Sequence, residues 1–109
     1  MATTSDGKEL GPVANRVLEE NERVRIWEMA LEPGEELPLH KHELDFININ
    51  IEGDRLAGYV HPDARGIFLR DIEVDVVPGA YYFVPRGGVE VAKNTGRVPY
   101  RALLIELKD

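Results

Sequence analysis

The 109-residue chain contains no cysteine. Disulfides, thiolate zinc sites and a cysteine nucleophile are thereby excluded. No apolar run approaches the roughly 20 residues that span a bilayer as a helix. The opening stretch, Met1 to Lys8, is small and polar, without the apolar core of a secretory signal. A soluble, cytoplasmic protein is therefore expected. Basic residues are in the minority, 13 against 20 acidic, for a net charge of −7. Neither a nucleic-acid-binding surface nor attachment to an anionic membrane is expected from that balance. Helical periodicity is missing as well, whereas Gly (10) and Pro (7) recur at short intervals.

What stands between the glycines and prolines is β-branched and alternating. Strands are predicted over Asn15 to Glu20, Val24 to Leu31, Leu37 to His42, Phe46 to Ile51, Arg55 to Val60, Ile67 to Leu69, Ile72 to Val77, Tyr81 to Val84, Val89 to Lys93 and Tyr100 to Leu107. His61 to Gly66 reads as a polar loop, with His61 solvated. So many short strands with frequent turns predict an all-β sandwich or barrel. The length allows one domain, modestly stable alone and helped by burial in a dimer. Residues 1–14 read as a flexible N-terminal segment and 15–109 as the single domain.

Alternation assigns faces but not which face points inward. Phe46, Asn48 and Asn50 share one face of their strand; Ile47, Ile49 and Ile51 share the other, as barrel core or as part of a dimer interface. Asp71, Glu73 and Asp75 form an acidic stripe expected to be solvated. His40 and His42 are two apart on a strand, so both imidazoles point the same way, a chelating arrangement for a divalent metal. Two glycine-anchored segments frame them. The first runs from Gly34 through His40 and His42 to Gly53. The second runs from Gly79 through Pro85, Gly87 and Glu90 to Asn94.

These segments resemble the two motifs of the cupin superfamily, G-x5-H-x-H-x3-4-E-x6-G and G-x5-P-x-G-x2-H-x3-N. Gly34, His40, His42, Gly53, Gly79, Pro85, Gly87 and Asn94 match, and the resemblance covers Arg23 to Leu107. The stretch from Glu20 to Trp27 is also similar to small stand-alone bacterial cupins. The resemblance implies a double-stranded β-helix (jelly-roll) barrel, usually a homodimer, with a metal held inside near one open end. Two positions depart from the pattern. Phe46 stands in the slot of the first motif's Glu, with Glu43 and Asp45 near but out of register, so whether either substitutes is open. Glu90 stands in the slot of the second motif's His.

The ligand set then becomes His40, His42 and Glu90, two imidazoles and a carboxylate, which suits Fe, Mn, Ni or Zn. The alternative is a site that has lost its metal, with Glu90 paired to Arg86, Arg97 or Arg101. Phe46, Asn48, Trp27 and Tyr82 are candidates for the pocket wall, and Asn94 for satisfying backbone groups near the second motif. Two functions follow. One is a metal-dependent small-molecule enzyme of dioxygenase, isomerase or hydrolase type. The other is a non-catalytic module that binds or senses a small ligand.

Overall fold

The computed structural model describes residues 2–65 and 70–108. It contains nine strands: β1 (Arg16–Glu20), β2 (Val24–Leu31), β3 (Glu36–Lys41), β4 (Phe46–Glu52), β5 (Arg55–Val60), β6 (Ile72–Asp75), β7 (Tyr81–Val84), β8 (Val89–Asn94) and β9 (Tyr100–Leu107). No helix among the described residues is long and apolar enough to cross a membrane. The strand expected over Ile67–Leu69 lies outside the described residues. The strand expected to reach Val77 ends at Asp75; otherwise the expected boundaries hold to within a residue.

The strands form two antiparallel sheets, one of five in the order β1-β2-β9-β4-β7 and one of four in the order β3-β8-β5-β6. The core lies between them. Met29, Leu31, Leu37, Phe46, Ala92, Tyr100, Ala102 and Leu104 are buried there. Within β2 the inward residues are thus Trp27, Met29 and Leu31, with Ile26 and Ala30 outside. Within β4 the inward residues are Phe46, Asn48 and Asn50. The Ile47-Ile49 row is therefore not core. It lies on the outer face, where Ile47 pairs with Ile105 and Phe83, and Ile49 with Leu103 and Tyr81. Ile26 continues the first row through Ile105.

The motif residues outside the metal slots hold the backbone. Gly53, at φ +147°, connects β4 to β5 where a Cβ would stand 2.8 Å from Tyr100 Cδ1, so only glycine fits. Asn94 is fully buried, and its Nδ2 donates to the carbonyls of Leu31 and Val98, each at 2.9 Å. Its Oδ1 accepts from the Gly96 N–H, also at 2.9 Å.

One expectation changes, that of His61, and two other features gain detail. The N-terminal segment lies against the barrel: Gly11 N donates to Leu39 O at 2.8 Å, and Val13 and Ala14 are buried. His61, read as solvated, is buried; Nδ1 accepts from the Asp63 N–H and Nε2 donates to Asp6 at 3.0 Å. The acidic stripe is solvated but not bare, since Arg55 holds both Glu73 and Asp75.

Asn94→Ala should cost about 1–3 kcal/mol, because it leaves the buried Leu31 carbonyl, and the part-buried Val98 carbonyl and Gly96 N–H, without their partner. Chemical denaturation measures this; a loss well under 1 kcal/mol would remove Asn94 from its structural role.

Candidate metal centre

The site begins with a defect in β3. Leu37 pairs with Ala92 but His40 pairs with Glu90, so three steps along β3 match two along β8. This is a β-bulge around Pro38, a residue that cannot donate to the ladder and is tolerated at such places on an edge strand. The extra residue switches the alternation. Leu37 and His40 are both buried, at 3% and 1% exposure, although their positions have opposite parity. The bulge thus turns His40, and with it His42, into the barrel.

The bulge also holds the first imidazole. His40 Nδ1 lies 2.8 Å from the Pro38 carbonyl, which can only accept, so Nδ1 carries the hydrogen and Nε2 presents its lone pair. His42 lies just beyond β3 and is tied at its backbone to the second motif's turn: its N–H donates to Gly88 O at 2.8 Å and its carbonyl accepts from Gly87 N at 2.9 Å. Its ring stacks on Phe46, centroids 4.3 Å apart, and meets His40 edge-on at 4.8 Å.

Glu90 enters from β8 directly opposite His40. Glu90 Oε2 lies 3.9 Å from His40 Nε2 and 3.4 Å from His42 Nε2. Room for the carboxylate comes from Gly58 on β5, where a Cβ would stand 2.9 Å from Glu90 Oε1. The arginines considered as partners are engaged elsewhere: Arg86 with Asp45, Arg97 with Asp54 and Arg101 with Glu28. Asp45, held by the Arg86 backbone and side chain, and Glu43, exposed, do not replace the missing motif-one carboxylate.

Burial lowers the pKa of His40, and its neighbour His42 lowers it further, against the raising effects of the Pro38 carbonyl and Glu90. His40 is therefore neutral, as a ligand must be. Burial pushes Glu90 the other way, upward. The hydrogen bond to His42 and the polarity of the two neighbouring imidazoles together outweigh that, leaving Glu90 below its ordinary value.

These residues fit a divalent ion. Their ligand atoms lie within 4.8 Å of one another, and two ligand atoms on one metal with bonds of about 2.1 Å stand roughly 3.0–3.4 Å apart. Small side-chain movements close the difference. His42 Nδ1 is buried with no hydrogen-bond partner, so this ring is not fully served by the protein alone. Two neutral imidazoles and an ionised carboxylate form a donor set for Fe, Mn, Ni or Zn.

The three groups open on a mostly apolar cavity of about 400 Å³. The opposite sheet lines it with Phe46 and with a polar chain in which Asn48 Nδ2 and the Tyr100 hydroxyl both donate to Asn50 Oδ1, at 3.0 and 2.8 Å. Burial raises the Tyr100 pKa. Tyr82, half exposed, lies at the mouth. Trp27 is not part of the wall: its indole N–H donates to the buried Glu106 at 2.6 Å, and Arg25 pairs with the same oxygen. The cavity residues not anticipated from sequence include Gly58, Tyr100, Arg70 and the Ile72-Val74 pair. Gly58 had a signal, an isolated glycine inside a strand, which marks a close approach.

No protein-family model matches the chain. Among curated proteins it is similar to Auxin-binding protein 1 of Arabidopsis thaliana, 27% identical over 95 residues, which cover 85% of this chain and 46% of that protein. The chain thus spans about half the length of the curated relative it matches. Among solved structures it superposes on a cupin domain from Bordetella pertussis with TM-score 0.76 and 22% identity, over 94% of this chain and 100% of that one. An RmlC-like cupin with a double-stranded β-helix fold from Methanocaldococcus jannaschii gives TM-score 0.65 and 16% identity, over 92% and 87%. The polyketide cyclase RemF from Streptomyces resistomycificus gives 0.57 and 20%, over 82% and 57%. At these identities the likeness carries the fold.

Gly58→Ala should leave the barrel folded, since alanine is tolerated inside a strand, but displace Glu90. Calorimetric titration with Ni(II) should show affinity reduced about tenfold or more, with an unchanged circular-dichroism spectrum. Unchanged affinity would mean that Glu90 is not a ligand.

Proposed function

We propose that this chain, a small single-domain cupin by fold, is a divalent-metal-dependent protein that acts on a small organic molecule, with His40, His42 and Glu90 as the metal ligands. The observation that carries the reading is Glu90. A carboxylate placed inside a barrel is costly unless compensated. Here it faces two imidazoles in space reserved by a glycine, and the nearby arginines meet other carboxylates. That arrangement is expected of a ligand rather than of a degraded site. A Lewis-acidic metal bound there would polarise an oxygen of the bound molecule. Pro38 holds the tautomer of His40, Phe46 keeps the ring of His42 in plane, and the Asn48-Asn50-Tyr100 chain offers hydrogen bonds to the far end of a ligand. The apolar walls exclude water. An enzyme of dioxygenase, isomerase or hydrolase type uses such a site, and the cytoplasm is its proposed location.

A second reading, a binding module without turnover, is favoured by one comparison: the curated relative is named for what it binds. Elemental analysis separates a metal protein from an empty shell. The protein purified from cells should carry close to one metal per chain, and Glu90→Gln, which keeps the shape but removes the charge, should lose most of it. Metal retained in Glu90→Gln, or absent from both proteins, would overturn the ligand assignment. Affinity should hold from pH 8 down to about 6.5 and fall below that, as protons reach His40 only beneath the ordinary His value.

We propose further that the protein is a homodimer through the outer face of the five-stranded sheet. The Ile26-Ile105-Ile47-Phe83 and Leu103-Ile49-Tyr81 rows form a broad apolar surface there, with Phe83 58% and Tyr81 74% exposed. On a chain of charge −7 this is a face where two copies meet without bringing like charges together. Sedimentation should give twice the chain mass, and Phe83→Glu, by setting carboxylates against an apolar partner, should give the monomer. A wild-type monomer would sink this assignment.

A further inference from the structure

Among the described residues the cavity is lined by one cation that the metal site does not use, Arg70. Every other charged group lining it is accounted for. Glu90 belongs to the ligand set, and Asp75 is held by Arg55 with its own side chain 82% exposed. Arg70 is exposed and has no ion pair with any described residue. Of the other eight arginines six meet a carboxylate, Arg16, Arg25, Arg55, Arg86, Arg97 and Arg101; Arg23 and Arg65 do not, but neither lines the cavity.

Strand register describes the corner beside Arg70. Gly58 of β5 pairs with Ile72 of β6 and with Ala92 of β8; Val60 pairs with Glu90, and Glu90 with His40. Arg70 precedes β6, whose ladder with β5 begins at the Gly58-Ile72 pair. This corner is fixed by the Asp71 carboxylate, which accepts from the Val60 N–H at 2.7 Å. His40, Glu90 and Val60 form one row across the sheet, and Arg70 lines the same cavity as all three. Ile72 and Val74 line it too and supply apolar wall.

We infer that the cavity takes a small, largely apolar organic monoanion, and that Arg70 is the residue that selects its charged group. The inference rests on the metal-site reading above for half of its charge arithmetic. Two neutral imidazoles, one carboxylate and a divalent ion leave one net positive charge, and Arg70 adds a second on the same side of the cavity. The remaining lining described is aliphatic, aromatic or amide, so no other cation there meets an anion. Low-dielectric walls strengthen the attraction, and the acidic exterior makes the cavity mouth the attractive point for an anion. A planar fork of N–H donors matches a carboxylate in two contacts, which a neutral amide cannot reproduce.

Benzoate and benzamide are matched probes of the same shape. Calorimetry should compare them on the wild type and on Arg70→Gln, each both loaded with Ni(II) and stripped of metal. In the loaded wild type, benzoate should bind at least about tenfold more tightly than benzamide. Arg70→Gln should reduce benzoate affinity about tenfold and leave benzamide unchanged. Equal affinities of the two probes for the loaded wild type, or an Arg70→Gln variant that keeps the wild-type ratio, would overturn the inference. The stripped proteins keep it distinct from the metal reading. If the chain binds no nickel, the metal assignment fails, yet the benzoate affinity of stripped wild type against stripped Arg70→Gln still reports on Arg70, and no difference between them refutes its role.

Discussion

The site depends on the bulge at Pro38. A regular β3 that buried Leu37 would turn His40 and His42 to solvent, because side chains alternate strictly along a strand. One inserted residue reverses that alternation while Leu37 stays in the core. Proline suits the position twice over. It lacks the N–H that the interrupted ladder would leave unpaired, and its carbonyl is free to accept from His40 Nδ1. The element that aims the imidazole also chooses its tautomer. β3 is the edge of its sheet, where an interruption costs least, and its outer side is covered in part by Gly11 of the N-terminal segment.

Around that bulge the remaining features act as supports. The second motif's turn clamps His42 by two backbone hydrogen bonds, so both histidines and Glu90 are referred to the same pair of strands. Gly58 leaves the space that the carboxylate occupies. Phe46 stacks on His42 and blocks one side of the ring from water. At the other end of the inward faces of β2 and β9, Arg25, Trp27 and Glu106 form a separate polar cluster that satisfies a fully buried carboxylate. The cavity between them is left with one chemically active end.

Much of this was legible in the residues. Strand positions followed from alternation and from the Gly and Pro punctuation, and the grouping of His40, His42 and Glu90 from the cupin resemblance, which puts Glu90 in the slot of the second motif's His. The assignments that changed were those that depend on three-dimensional partners. Trp27 has the inward parity of a pocket residue, but its indole is drawn to Glu106, and nothing local in sequence couples residues so far apart in the chain. His61 stands among turn residues and reads as solvated, yet its ring is covered once the N-terminal segment folds back and Asp6 meets it. The Ile47-Ile49 row could not be assigned inward or outward by alternation alone. Phe46 and Asn50 settled it by packing against Leu104 and Tyr100 in the same interior.

The two substitutions in the cupin pattern have one geometric consequence when taken together. The motif-one Glu would stand on β4, in the five-stranded sheet, facing histidines on β3 and β8 in the four-stranded sheet. A metal in such a site is held between two layers. Here the carboxylate stands on β8, so all three candidate ligands lie on, or directly after, adjacent strands of one sheet. Their spacing is then set by backbone hydrogen bonds rather than by the packing of one sheet on the other, which makes the centre less sensitive to changes in the core. The facing wall of β4 is released from ligation and carries Phe46, Asn48 and Asn50 instead, groups that contact a ligand without charge. On the proposed function, moving the carboxylate divides the barrel into a sheet that would hold a metal and a sheet that would shape the bound molecule. The charge of that molecule would then be answered from the metal's own side, by Arg70 just ahead of β6.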